Sequence, residues 1–200
     1  MSNKKKIRML LVIDMQNDFI DGSLGSEGAQ SIVPNVVEKI KNFDGDLIIL
    51  TRDTHFDDYL KTNEGKKLPV KHCIYGTYGW EICDEVAFAI QDWINQHDVC
   101  DEDVMVIDKP TFASMHPVHV DRNDLISVLN NICSIKHTDL DIEMVGLDTD
   151  ICVVSNALML KGWFYDCAEI TVDSKCCAGV TPESHQAALT VMKNCQINII

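Results

Sequence analysis

A cysteine stands at position 152, just past an apolar run that Gly146 interrupts in the segment IEMVGLDTDICVV (142–154), where the next helix should begin. A thiol held there lies at the positive end of a helix dipole, which favours the thiolate and turns backbone N–H groups toward a developing oxyanion. Cys152 is therefore a candidate nucleophile, although an unpaired cysteine is as ordinarily a small buried hydrophobe. A neutral thiol attacks poorly and needs a base or a positive neighbour. Asp14 in LVIDMQNDF and Lys109 in VIDKP can supply both. Each would be desolvated at the end of an apolar strand unless the two pair, and an ion pair without chemistry explains them equally well. A second group, Asp53, His55, Glu64 and His72, gathers carboxylate and imidazole donors within twenty residues. That set suits zinc, iron or manganese, and its lack of a thiolate argues against a closed structural zinc site. Without a metal, the same residues read as turn and loop positions.

To meet, these side chains must be carried by elements that end along one edge. Aliphatic runs at Ile7–Ile13, Leu47–Leu50, Val104–Ile107, Ile142–Leu147, Ile170–Val172 and Ile197–Ile200 predict strands. Helical spacing predicts helices over Ser31–Asn42, Trp80–His97, Asn123–Cys133, Asp150–Gly162 and Pro182–Asn194. The alternation is a β-α repeat, and continuous apolar strands are buried on both faces. The expected class is therefore α/β, a three-layer arrangement of a mostly parallel sheet of about six strands with helices on both faces. Ligands bind such sheets beyond the carboxyl ends of the strands. Asp14, then Asp53 with His55, then Lys109, then Cys152 would follow the first four strands at one edge. The polar stretch 53–71 is long for a connection and reads as a functional loop.

Two hundred residues, 46% hydrophobic and 24% charged, fit one domain over 1–200. Seventeen basic against thirty-one acidic side chains give a net charge of −14, which argues against nucleic acid and against an anionic membrane. The apolar run 9–13 is too short for a signal-peptide core or a membrane span. Nine cysteines without a Cys-x-x-Cys pair argue against a disulfide scaffold and for a reducing cytoplasm. What remains is small-molecule chemistry, with single-cysteine nucleophilic catalysis open to one thiol.

Five segments in order, LVIDMQNDF with Asp14, ILTRDTHF with Asp53 and His55, LPVKHC with His72, KPTFAS with Lys109 and VGLDTDICV with Cys152, resemble the isochorismatase-like cysteine hydrolases, and among them the nicotinamidases. The resemblance runs from about Leu11 to Ala157. It implies an isochorismatase-like, Rossmann-like fold and a catalytic triad of Asp14, Lys109 and Cys152. It also implies an oxyanion hole from the backbone N–H groups of Asp148 and Cys152, set by a non-proline cis peptide at Leu147–Asp148, and a substrate-pocket position at Phe19. One divalent metal ion follows, zinc foremost with iron or manganese as alternatives, held by Asp53, His55 and His72. Glu64 takes the place of a ligand that varies among relatives.

The implied reaction is hydrolysis of nicotinamide to nicotinate and ammonia through a thioester. The alternatives are a related cysteine amidase or ureidohydrolase on another small carboxamide, and a non-enzymatic ligand- or metal-binding member of the fold. Relatives are commonly dimers or tetramers, so a homo-oligomer is expected. Many relatives carry alanine where this chain has Asp148. A carboxylate aimed inward would oppose an oxyanion, so the Asp148 side chain is expected to point away. A tryptophan frequent before the metal histidine is missing from LPVKH, which leaves Tyr75, Tyr78 or Phe112 as substitutes for the pyridine-stacking wall. His116 and His119 in MHPVHV receive no role.

Overall fold

Side chains alternate across a strand, so the run Met9 to Ile13 can bury every residue only if both faces are covered. The computed structural model, which describes residues 6–97, 103–118, 123–136 and 138–200, covers both. Strand β1 (Lys6–Ile13) pairs in parallel with β2 (Leu47–Asp53) on one side and β4 (Asp139–Leu147) on the other. Beyond β2 lies β3 (Val104–Lys109), and beyond β4 lie β5 (Ala168–Ala178) and the short edge strand β6 (Asn198–Ile199). The sheet is parallel throughout, in the order β3-β2-β1-β4-β5-β6. Strand order reverses between β1 and β4, and in such sheets the crevice at the carboxyl ends beside the reversal is where ligands bind.

Leu10, Val12, Ile48 and Leu50 point to the face covered by α1 (Asn17–Ile20), α2 (Glu27–Lys41) and α3 (Asp84–His97), packing with Phe19, Val36, Ile40, Val86 and Trp93. Met9, Leu11, Ile13 and Ile49 point to the other, covered by α4 (Leu125–Lys136), α5 (Val154–Phe164) and α6 (Pro182–Asn194) through Leu129, Ala157, Leu160, Leu189 and Met192. This is the expected three-layer α/β architecture. Among the described residues no helix is long and apolar enough to cross a membrane.

Several bounds differ from the sequence reading, each for a local reason. Helix α3 begins at Asp84 rather than Trp80, because Tyr78–Trp80 is a tight 3-10 turn and Ile82 bridges to Gln16. Strand β5 continues well past Val172 through Asp173, Ser174 and Lys175, polar positions that interrupt the apolar run but stay extended. There the Ser174 N–H and hydroxyl both donate to the carbonyl of Ile200. The four-residue α1 is too short to leave a helical period in the sequence.

Candidate active site and metal centre

Asp14 leaves β1 with φ of 48°, its N–H directed to the Thr51 carbonyl at 3.2 Å. That left-handed turn swings the carboxylate across the strand ends, where the Thr51 hydroxyl donates to Oδ1 at 2.7 Å. Lys109, the last residue of β3, brings Nζ to 2.7 Å from Asp14 Oδ2, 3.4 Å from Asp53 Oδ1 and 3.4 Å from Cys152 Sγ. Asp14 and Lys109 are wholly buried and Cys152 nearly so. Nζ approaches Oδ2 off the line a hydrogen bond needs, so this oxygen has a positive charge beside it and a lone pair to spare.

Burial raises the Asp14 carboxyl, the Lys109 charge opposes that rise, and neighbouring Asp53 reinforces it. Burial also pushes the Cys152 thiol well above its usual range; Lys109 pulls the other way, and the Asp14 and Asp53 charges add to the rise. Burial of the sulfur thus works against the thiolate that a helix start favours. Burial alone would lower the Lys109 ammonium, yet Asp14, Cys152 and Asp53 hold it well above its ordinary value. The arrangement is a permanent cation clamped between a base and the thiol that base can deprotonate.

Cys152 lies on a widened π turn over Thr149–Val153 that leads into α5, a form of helix frequent at functional sites. The carbonyl of Asp148 accepts from the N–H groups of Ile151 and Val153, each at 3.0 Å, and passes over that of Cys152 between them. Asn156 ties this turn to the segment after Lys109: its Nδ2 donates to the carbonyls of Cys152 and Phe112 at 2.8 and 2.9 Å, and its Oδ1 accepts from Ser114 N–H at 3.0 Å. Before the turn, Gly146 sits at φ of 118°, and a Cβ there would lie 2.0 Å from the Ile13 carbonyl. Only glycine lets β4 approach β1 so closely.

One expectation at Asp148 is corrected. The Leu147–Asp148 peptide is trans, as is every peptide bond among the described residues; trans is the form favoured at a non-proline bond by about 3 kcal/mol. The cis bond expected to aim the Asp148 N–H toward that of Cys152 is therefore absent from this turn. Asp148 lines the same cavity as Cys152. Burial, with Asp150 and Asp14 nearby, pushes its carboxyl up to about 7.

On the opposite wall the structure brings Asp53, His55, Glu64 and His72 together, one ligand atom from each within 4.8 Å of all the others. His55 Nε2 lies 2.9 Å from Asp53 Oδ2 and 3.4 Å from Glu64 Oε1, and His72 Nε2 lies 3.4 and 3.8 Å from the same two oxygens. His55 Nε2 is buried with no hydrogen-bond partner among the described residues. His72 Nδ1 lies 2.9 Å from the Val70 carbonyl, which assigns its proton to Nδ1 and turns the Nε2 lone pair inward. Two imidazoles and two carboxylates converging on an orphaned nitrogen fit a divalent ion of the zinc, iron or manganese kind. Burial lowers the affinity of His55 for a proton, but Asp53 and Glu64 more than reverse that, to about 9. A proton therefore competes with a metal for the same place.

Between the two clusters lies a cavity of about 310 Å³, with Cys152 and Asp148 on one wall and Asp53, Glu64 and His72 on another. Phe19 lines it and meets the His72 ring at 5.6 Å. Phe112, and neither Tyr75 nor Tyr78, is the remaining aromatic there. His116 is exposed and stands apart from the metal cluster, while His119 lies outside the described residues.

Four residues of the site receive no role from the sequence. Gln16, fully buried, clamps both backbone groups of Asp53, accepting from its N–H at 2.7 Å and donating to its carbonyl at 2.9 Å. Tyr59, also fully buried, packs its ring on His55 at 4.5 Å and His72 at 4.9 Å and donates its hydroxyl to the Leu68 carbonyl. Thr51 and Asn156 are the others. A polar side chain inside an apolar run was a usable signal for Thr51 in LIILTRD; the rest act through backbone contacts that sequence spacing does not show.

Comparison with known proteins bears on the chain as a whole. The isochorismatase domain matches residues 8–200. The nicotinamidase of Schizosaccharomyces pombe is 24% identical over 216 aligned positions, which cover 96% of this chain and 91% of that protein. Among solved structures, the pyrazinamidase/nicotinamidase of Streptococcus mutans superposes with a TM-score of 0.73 at 26% identity, covering 96% of this chain and 99% of its own. The pyrazinamidase of Pyrococcus horikoshii, solved in complex with zinc, superposes with a TM-score of 0.70 at 26% identity, covering 96% and 98%.

Proposed function

This chain belongs to the isochorismatase family, and on that premise we propose that it is a metal-containing cysteine amidohydrolase converting nicotinamide to nicotinate and ammonia. The observation that carries the reading is the reach of Lys109 Nζ to both Asp14 and Cys152 Sγ, beside a cavity whose far wall is a metal-ligand cluster. In the reaction, Asp14 Oδ2 takes the thiol proton and Cys152 Sγ attacks the carboxamide carbon. The tetrahedral oxyanion is met by the Cys152 N–H, with Lys109 offsetting the charge that builds on sulfur. Asp14 returns its proton to the departing ammonia, leaving a thioester on Cys152. A water molecule, deprotonated by Asp14, then attacks the thioester, releases nicotinate and restores the thiol.

The metal would be held by Asp53, His55, Glu64 and His72. Zinc is the foremost candidate, with iron or manganese as alternatives, and an ion held there would supply a Lewis-acid contact for a pyridine nitrogen. Phe19 and Phe112 provide apolar contact for that ring. The reading includes a homo-oligomer, dimer or tetramer, and a reducing cytoplasm; the cysteines of the described residues are all free, as such a compartment favours.

The test is ammonia release from nicotinamide, pyrazinamide and linear carboxamides by the metal-loaded protein, with and without a chelator. Release from the pyridine and pyrazine amides that the chelator suppresses, and that Cys152→Ala abolishes, is expected. Cys152→Ala turning over at the parent rate sinks the reading. Chelator-resistant activity on linear amides alone replaces it with the amidase or ureidohydrolase alternative.

A further inference from the structure

Asp148 is the cavity group to which the reaction above gives no part. The other carboxylates lining this space, Asp53 and Glu64, have His55 at 2.9 and 3.4 Å, and the wholly buried Asp14 has Lys109 at 2.7 Å. Asp150, two positions on, accepts from the Val180 N–H at 3.0 Å, and the Thr149 hydroxyl between them meets His185 Nδ1 at 2.8 Å. Asp148 has no cation paired with it among the described residues, yet it lines the cavity on the turn that carries the reacting sulfur.

Resting on the hydrolase reading, we propose that Asp148 is a specificity residue that separates the neutral carboxamide substrate from its anionic carboxylate product by charge. Substrate and product differ only at the group Cys152 attacks, so a discriminating charge must lie near that sulfur. A carboxamide offers N–H donors that a carboxyl or carboxylate accepts. A carboxylate product offers acceptors and a like charge, in a partly desolvated space where repulsion is strong. Hydrolysis thus ends with an anion facing an acidic wall, which favours its departure.

Burial, aided by Asp150 and Asp14, pushes this carboxyl up to about 7, so its charge develops as pH crosses neutrality. The charged and titratable groups around it are Asp14 beyond β1, Lys109 of β3, Asp150 and Cys152 on its own turn, His185 of α6, and Asp53, Glu64 and His72 across the cavity. All of them persist when Asp148 alone is replaced.

The experiment measures inhibition of nicotinamide hydrolysis by nicotinate at pH 6 and pH 8 in the metal-loaded parent, Asp148→Asn and Asp148→Ala, with calorimetric nicotinate binding repeating the comparison without turnover. The parent inhibition constant should rise by about tenfold between the two pH values, the limit for one proton titrating at about 7, while both variants change by less than about twofold. Two substitutions, each checked for native circular dichroism and metal content, guard against loss of fold. A parent that turns over but whose ratio is matched by both variants overturns the assignment and leaves the hydrolase reading standing. A parent that releases no ammonia from nicotinamide overturns both.

Discussion

Lys109 holds together three groups that would otherwise repel or fall silent. Its removal leaves the buried carboxylate of Asp14 without its cation. Uncompensated buried charge of that kind costs about 3–5 kcal/mol. Lys109→Met should therefore lower the denaturation midpoint as well as abolish turnover, both read on one preparation by urea unfolding and ammonia assay. Glu64→Gln tests the second cluster without disturbing the first. Metal affinity should fall by at least the roughly ten- to hundredfold that even outer-shell partners contribute, as read by metal titration, while the Cys152 thiol stays reactive toward a small alkylating agent.

Asp148 carries a stability signature of its own. A carboxyl raised on folding favours the folded state most at pH below the ordinary carboxylate range, and that contribution is lost as pH rises through about 7. The melting temperature of Asp148→Asn should exceed that of the parent by more at pH 8 than at pH 4. Charged residues at the ends of apolar strands were the ones legible from sequence: Asp14, Asp53, Lys109 and the histidines each violate the pattern around them. Gln16, Tyr59 and Asn156 were not, because a clamp on a backbone carbonyl or a ring behind an imidazole has no pattern to violate.

The strand-to-helix turn after β4 depends on Gly146. A methyl group there would lie 2.0 Å from the Ile13 carbonyl at a φ of 118°, so both contact and conformation oppose it. Gly146→Ala should push β4 off β1, costing at least about 1–3 kcal/mol by the size of such backbone effects. It should also lower kcat more than it raises KM, because Asp14 and Cys152 hang from those two strands; steady-state kinetics beside thermal unfolding check both. Strands and helices with long periodic runs were legible, as in β1, β4 and α6. The early part of α3, the reach of β5 and the four residues of α1 were not, because a bridge to Gln16, a pairing with Ile200 and a single turn are decided by distant partners.

For the whole molecule, alternation of strands and helices indicated a parallel sheet, but the order β3-β2-β1-β4-β5-β6 is a matter of which strands meet in space, which no local pattern states. Metal bound to the native state alone stabilises it by mass action. Stripping the ion with a chelator should lower the melting temperature, and zinc above its dissociation constant should restore it. The central pair β1 and β4 has a consequence in time as well as in space. Ile13 sits beside Gly146, so the seam that unites acid, lysine and sulfur closes only after most of the chain lies between its two halves. Contacts so remote in sequence form slowly. A refolding chain should recover its helical signal first and its enzymatic competence last, and a nascent chain on the ribosome carries an idle cysteine until the fourth strand has docked.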